Sequence, residues 1–400
     1  MLSSSYTAGP FRGLARAALL ALLAASGNGP APGVLPSAHA QAPRERYPCA
    51  GSIAPDNAAA GAEIRRSYAD WRSRYVTRQG AGGALRVRMP GYGRDRTSSE
   101  AIGYGMLLAV YLDDRPTFDA LWRYARRYRN PRGLMSWEVT PEGRVPDPNA
   151  ATDGDQDMAF ALVVADARWG GYRADAGALL RALLAHAVEP GSYVLKPGDV
   201  WGGSQVTNPS YFSPAYYRIF ATYTGDSRWL RVADAAYRIL DRVAAKRGAA
   251  TGLLPGWTTA SGDSARGGKF AFAYDYGAAR IPWRLAMDAA WHCDRRARRH
   301  LDRLNAFFRR VGAQNIREGY TLEGRPLGNA HSVVFVGPAA AGALLSPDAG
   351  YRRAMWAETV RLRDGAYYGD SLRLLALLFA SGRMQPPRIA RGGADSRPGA

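Results

Sequence analysis

Lysine is nearly missing from this sequence: Lys196, Lys246 and Lys269 are the only three among 53 basic residues. The other basic residues are arginines, scattered along the chain rather than gathered in one stripe. No nucleic-acid recognition motif accompanies the net charge of +19, so the charge reads as solvated faces and nucleic acid is not an expected partner. Cysteine is equally scarce. Cys49 and Cys293 cannot make a disulfide-dense scaffold, and their spacing fits no zinc site. Export would permit one bridge between them, although sequence alone does not bring them together. Long apolar runs are missing as well. Residues 17–25 form an apolar run of nine, where a membrane-spanning helix needs about 20, and no later stretch is long enough. Strand signals are few, which argues against a core built on sheets.

The N-terminus has the pattern of a secretion signal. Arg12 and Arg16 precede the run 17–25, and "SAHA" offers an A-x-A-like cleavage site ending at Ala40. Residues 1–40 are therefore read as a signal peptide, with an earlier cut near Ser26 as the alternative. A secreted or periplasmic location follows. From about Arg383 to Ala400 the chain is Pro-, Gly- and Arg-rich and is expected to be a disordered tail.

Helical periodicity fills most of the remainder. Twelve helices are expected near 60–77, 98–112, 116–129, 154–169, 173–188, 211–224, 227–246, 281–293, 295–311, 337–345, 350–362 and 367–381. Two kinds recur. The second carries Ile102, Met106, Leu107, Leu108, Ala109 and Val110 and is apolar nearly all round, so it belongs inside. The third has one apolar stripe, Phe118, Leu121, Trp122 and Ala125, among arginines, so it belongs outside. Six such hairpins closed on themselves make an all-α (α/α)6 barrel of six inner and six outer helices. An open solenoid satisfies the same packing rules. Long loops at 78–97, 130–153, 189–210 and 247–280 are where a site would be built on a rigid scaffold.

Three features carry possible chemistry. In "ATDGDQDMAFALVVADARWG" the aspartates 153, 155 and 157 alternate before an apolar run. A calcium loop beginning at Asp153 would need glycine at its sixth position and glutamate at its twelfth, but these are Met158 and Val164. Asp153 stands where a helix N-cap belongs. In "TSSEAIGYG", Thr97 and Glu100 have capping-box spacing, with Glu100 reaching back to the Thr97 amide. The alternative is a carboxyl group in an apolar, aromatic pocket, kept protonated as a general acid. Third, Tyr92, Trp137, Trp201, Tyr211, Trp257, Tyr367 and Tyr368 are read as loop aromatics. Flat rings in a cleft suit the apolar face of a sugar.

With these blocks quoted, the sequence resembles glycoside hydrolase family 8, exported endoglucanases, xylanases and chitosanases built on an (α/α)6 barrel. "SSEAIGYGMLLAV" is similar to the family's S-E-G-x-G-Y-G-M block, with Ala101 in place of a glycine. "ATDGDQDMAFALVVADARW" resembles the signature A-[ST]-D-[AG]-D-x-x-[IM]-A. "NPSYFSPAYYRIFA", "AARIPWRLAMDAAW" and "YYGDSLRLLALLFASG" resemble further blocks, so that residues 41–382 form the catalytic domain. The resemblance implies roles: Glu100 as general acid, Asp153 as the carboxylate that holds the distorted sugar, Trp137, Trp201 and Arg280 as substrate contacts, and Tyr211 near the attacking water. It implies an inverting endo-hydrolase of a β-1,4-glucan such as cellulose, with a polysaccharide as partner, no metal or organic cofactor, and a monomer. A xylanase, mixed-linkage glucanase, chitosanase or non-catalytic polysaccharide-binding protein is the alternative. One departure stands out. Members carrying Y-D-A-x-R place the general base three residues before the arginine, and here that position is Gly277. Asp275 is the first candidate for the base and Asp263 the second.

Overall fold

The computed structural model describes residues 46–91, 95–247, 250–265 and 271–389. The signal-peptide assignment and Tyr92 lie outside the described residues. Among those described, twelve α-helices occur: α1 (Asn57–Tyr75), α2 (Ser99–Tyr111), α3 (Arg115–Arg127), α4 (Thr152–Trp169), α5 (Arg173–His186), α6 (Pro214–Thr224), α7 (Arg228–Lys246), α8 (Ile281–Trp291), α9 (Arg295–Val311), α10 (Val333–Ala343), α11 (Ala349–Arg361) and α12 (Tyr367–Ala380).

Their composition sorts them into two rings. All residues of α8, α10 and α12 are buried, as are all but Glu100 and Tyr111 of α2 and most of α4 and α6. Helices apolar all round must be enclosed by others. In contrast α9 buries a stripe that includes Leu301, Leu304, Phe307 and Phe308, and α3 buries Phe118, Leu121, Trp122 and Ala125 while its arginines face outward. Each even-numbered helix packs on the next, α2 on α4 and so on to α12, and α12 returns to α2. The odd-numbered helices pack outside them, with α1 against α12. The ring is therefore closed, and the fold is the expected (α/α)6 barrel rather than an open solenoid.

Several boundaries differ from the sequence reading, among them the start of α1, which is Asn57 rather than near 60. Helix α10 starts earlier, capped by Ser332, and carries Pro338 in its interior; a proline is more usually found in the first turn. The expected start of α6 at Tyr211 is a separate 3₁₀ turn, Pro209–Tyr211, ahead of Pro214. The expected tail is attached at its beginning: Met384 is buried, and Tyr111 donates its hydroxyl to the Gln385 carbonyl. Residues 390–400 lie outside the described residues. Cys49 and Cys293 form a disulfide that joins the N-terminal segment to the α8–α9 turn, 244 residues away in sequence.

Candidate active site

The first turns of α2 and α4 are pressed together by two glycines. A Cβ on Gly154 would lie 2.4 Å from Ser99 Oγ and 2.6 Å from the Glu100 nitrogen. A Cβ on Gly103 would lie 2.9 Å from Asp157 Cβ. Only residues without side chains allow this approach, and it sets Glu100 beside Asp153. Neither carboxylate caps in the way its spacing suggests. The α2 cap is Ser98, whose Oγ accepts from the Ala101 amide; Glu100 does not reach back to Thr97 but turns inward. Helix α4 begins at Thr152, which puts Asp153 inside the first turn with no side-chain cap at Ala151. Both carboxylates still sit at the positive ends of their helices, which favours negative charge there.

Arg280, buried at the start of α8, gathers the site. Its Nη1 donates to Glu100 Oε2 at 2.8 Å and to Asp153 Oδ2 at 2.7 Å, and lies 3.4 Å from the Tyr104 hydroxyl. Its Nη2 donates to Ser210 Oγ at 2.9 Å. The guanidinium lies over the Tyr211 ring, 5.2 Å from its centroid. The sequence reading missed Ser210 and Tyr104; the only signal for either was its place inside a quoted block. Burial pushes the Glu100 carboxyl up to about 7; Arg280 opposes this, and the Asp153 and Asp157 charges reinforce it. That is the condition of a general acid holding its proton near neutrality. Burial also keeps the Tyr211 hydroxyl protonated.

The three alternating aspartates have three fates. Asp153 faces Arg280. Asp155 is fully buried and accepts from the Met135 amide at 2.9 Å, which anchors the loop carrying Trp137. Asp157 makes a two-pronged ion pair with Arg284, 2.7 Å on each side, with both partners sealed from solvent.

Half-buried rings extend from this cluster. Trp257 stacks on Trp201 with centroids 5.9 Å apart, and Tyr211 follows at 6.4 Å from Trp257. On the other side, the Trp137 carbonyl accepts from the Ser99 amide at 2.9 Å, next to Glu100, and the Trp137 Nε1 is buried without a hydrogen-bond partner. Tyr367 and Tyr368 are not loop residues; they open α12 and are buried, and the Tyr368 hydroxyl donates to the Tyr276 carbonyl. Trp137→Ala and Trp201→Ala are each expected to raise KM for a cello-oligosaccharide roughly tenfold, about 1.4 kcal/mol. Their melting temperatures should barely move, because neither ring is fully enclosed. A core tryptophan would cost about 3–5 kcal/mol of stability, so a large drop in melting temperature would mark these rings as packing residues.

The two candidate bases sit in unlike places. Asp275 is part-buried in the segment leading to Arg280, and its Oδ1 accepts from the Ala278 amide at 2.9 Å. Burial raises its carboxyl above the usual range, with Arg280 opposing. Asp263 is exposed, and both of its oxygens accept from Lys246 Nζ on α7, an outer helix, at 2.8 Å.

A protonated acid flanked by an arginine-bound carboxylate and flat rings suits protonation of the bridging oxygen between two sugars. That chemistry defines a class, the glycoside hydrolases. The sequence matches glycosyl hydrolases family 8 over residues 49–382, and the chain belongs to that family. It is 43% identical over 359 residues to endoglucanase A of Acetivibrio thermocellus, a match covering 87% of this chain and 75% of that protein. It is 41% identical to endoglucanase 2 of Ruminiclostridium josui, covering 85% and 75%. Among solved structures, a β-1,3-1,4-glucanase from Paenibacillus sp. X4 superposes with a TM-score of 0.79 at 28% identity, covering 86% of this chain and 99% of that one.

Proposed function

We propose that this protein is an exported, inverting endo-hydrolase of a β-1,4-glucan such as cellulose, acting as a monomer. Glu100 is the general acid, Asp153 holds the distorted sugar at the cleavage point by accepting from its hydroxyls, and Trp137, Trp201, Tyr211 and Arg280 contact the chain. The observation that carries the reading is the bridge from Arg280 to both Glu100 and Asp153 beside a row of half-buried rings. The arginine fixes both carboxyl groups, while burial and the second carboxyl keep a proton on the first. Relatives named endoglucanases, at 41–43% identity, support a glucan as substrate. The disulfide and the signal-like N-terminus support export into an oxidising compartment. No helix among the described residues is long and apolar enough to cross a membrane.

The test is reducing-end release from carboxymethylcellulose, mixed-linkage glucan, xylan and chitosan in parallel, with the anomer of the first product read by proton NMR. Fastest turnover on carboxymethylcellulose, with inversion, is expected. Faster turnover on another polymer would reassign the substrate, and no turnover on any would return the protein to polysaccharide binding.

A pH dependence follows from the same geometry. Glu100 must carry a proton, so kcat/KM should fall as pH rises through about 7. Asp153, Asp157, Arg280 and Arg284 are the charges that set this limb. A profile that stays flat well above neutrality would place the donated proton on another group.

A further inference from the structure

The position that would carry the base in the resembling Y-D-A-x-R pattern is empty of any side chain. Gly277 has φ −66° and ψ −52°, ordinary right-handed values that any residue adopts, so its backbone does not require glycine. What glycine supplies is space. A Cβ built on Gly277 would lie 3.3 Å from Asp275 Oδ1 and 3.9 Å from Ser210 Oγ. The Asp275 carboxylate therefore borders the space that a side chain at 277 would enter. A second glycine forms another wall: a Cβ on Gly256 would lie 2.4 Å from Asp275 Oδ1 and 3.0 Å from Oδ2. The Gly256 amide is held to the Ala273 carbonyl at 2.9 Å, so that wall is fixed to Asp275's own strand of chain. Two glycines thus leave a slot that one carboxylate fills.

We propose that Asp275 is the general base of this hydrolase, delivered from two residues upstream into the place that Gly277 leaves open. This rests on the inverting-hydrolase reading given above. Arg280 acts through its charge on both carboxyl groups that inversion requires, Glu100 and Asp275. Its Nη1 edge holds Glu100 and Asp153, while its Nη2 edge holds Ser210, the hydroxyl that also faces the Gly277 position. Tyr211, beneath the guanidinium, adjoins Ser210. In the reaction the Asp275 carboxylate takes a proton from water as the water oxygen bonds to the anomeric carbon. The bond from that carbon to the bridging oxygen breaks with its electron pair, and the bridging oxygen takes the proton of Glu100. The products are an inverted hemiacetal and a new hydroxyl end, and solvent resets both carboxyl groups. The raised pKa of the Asp275 carboxyl suits it to accept that proton. Asp263 does not compete in this arrangement, because Lys246 and Ser261 hold it on the outer ring.

Asp275 also accepts from the Ala278 amide, so a turn-capping role has to be separated from catalysis. Asp275→Asn keeps an acceptor for that amide but cannot take a proton. It should lose roughly 10²–10⁴-fold in kcat with cello-oligosaccharide binding retained. Azide should restore bond cleavage in Asp275→Ala, giving a glycosyl azide of opposite anomeric configuration to the substrate. Returning the carboxylate to the usual position in the double variant Asp275→Ala/Gly277→Asp should recover at least tenfold over Asp275→Ala, since the truncation frees the space that the new side chain needs. Azide rescue and this recovery both require a folded site, so neither result is mimicked by misfolding. An Asp275→Asn variant within a few-fold of wild type overturns the inference and leaves Asp275 as a turn cap. Loss of activity in Asp263→Ala with azide rescue, alongside an active Asp275→Ala, assigns the base to the 258–265 loop instead. Retention of configuration by the wild-type enzyme, or its inactivity on every polymer, overturns the inverting-hydrolase reading together with this one.

Discussion

Glu100→Gln is expected to lower kcat by roughly 10²–10⁴-fold, the usual contribution of a general acid, while cello-oligosaccharide binding stays within a few-fold of wild type. The amide keeps the shape and an acceptor for Arg280 Nη1 but has no proton to give the leaving oxygen. Melting should be no lower than wild type, because Ser98 and not Glu100 caps α2. The pH dependence gives a second check. The Glu100 carboxyl is raised from 4.5 to about 7 in the fold, so its protonated form contributes stability below 4.5 that is lost as pH rises through about 7. Glutamine has no such loss, and the variant should gain on wild type in melting temperature above neutrality. Full activity combined with a lower melting temperature would reduce Glu100 to a structural residue.

The largest loss of stability should come from Arg284→Ala, at about 3–5 kcal/mol. Arg284 and Asp157 are sealed from solvent and joined by two hydrogen bonds of 2.7 Å. Removing the arginine leaves Asp157 either charged without a partner or forced to take up a proton, and leaves a cavity on the face of the Tyr216 ring over which the guanidinium lies. Replacing both partners by apolar residues of similar volume, as in Arg284→Met/Asp157→Leu, should recover most of the loss, since the desolvation of two charges is then removed as well. Denaturant melts of Arg284→Met, Asp157→Leu and the double variant give the coupling directly. A single-variant loss below about 1 kcal/mol would mean that the pair is far more hydrated than its burial indicates.

Much of the barrel was legible because burial writes itself into composition. The stretch at 98–112 is apolar nearly all round, so it could only lie inside, and the arginine-interrupted stripe at 116–129 could only lie outside. Boundaries were less legible where a local rule met tertiary packing. Pro338 resembles a helix start, yet α10 runs through it because a fully enclosed helix is held by its neighbours. The start of α12 at Tyr367 was legible, but Tyr367 and Tyr368, read as loop rings, are buried in its first turn.

The site divides in the same way. The sequence by itself determined the class of fold, the family blocks and the residue types available: carboxylates at the starts of buried helices, arginines four residues apart at 280 and 284, and rings in glycine-rich loops. Helical spacing alone did not distinguish Asp153 from Asp157; only the family signature singled out Asp153. Both lie on α4, one helical turn apart, and they meet two arginines four residues apart, Arg280 immediately before α8 and Arg284 within it. Depth decides between them. The outer pair keeps Glu100 beside it, whereas the inner pair is shut beneath it and serves packing. Nor could the sequence show that Gly277 vacates room for a neighbour's carboxylate, because that depends on where Gly256 and Ser210, distant in the chain, place their backbone and hydroxyl. Local sequence sets which groups a helix presents. Only the closed ring fixes how deep each group lies and which others share its space, and depth determines whether a charge is solvated, paired or holding a proton.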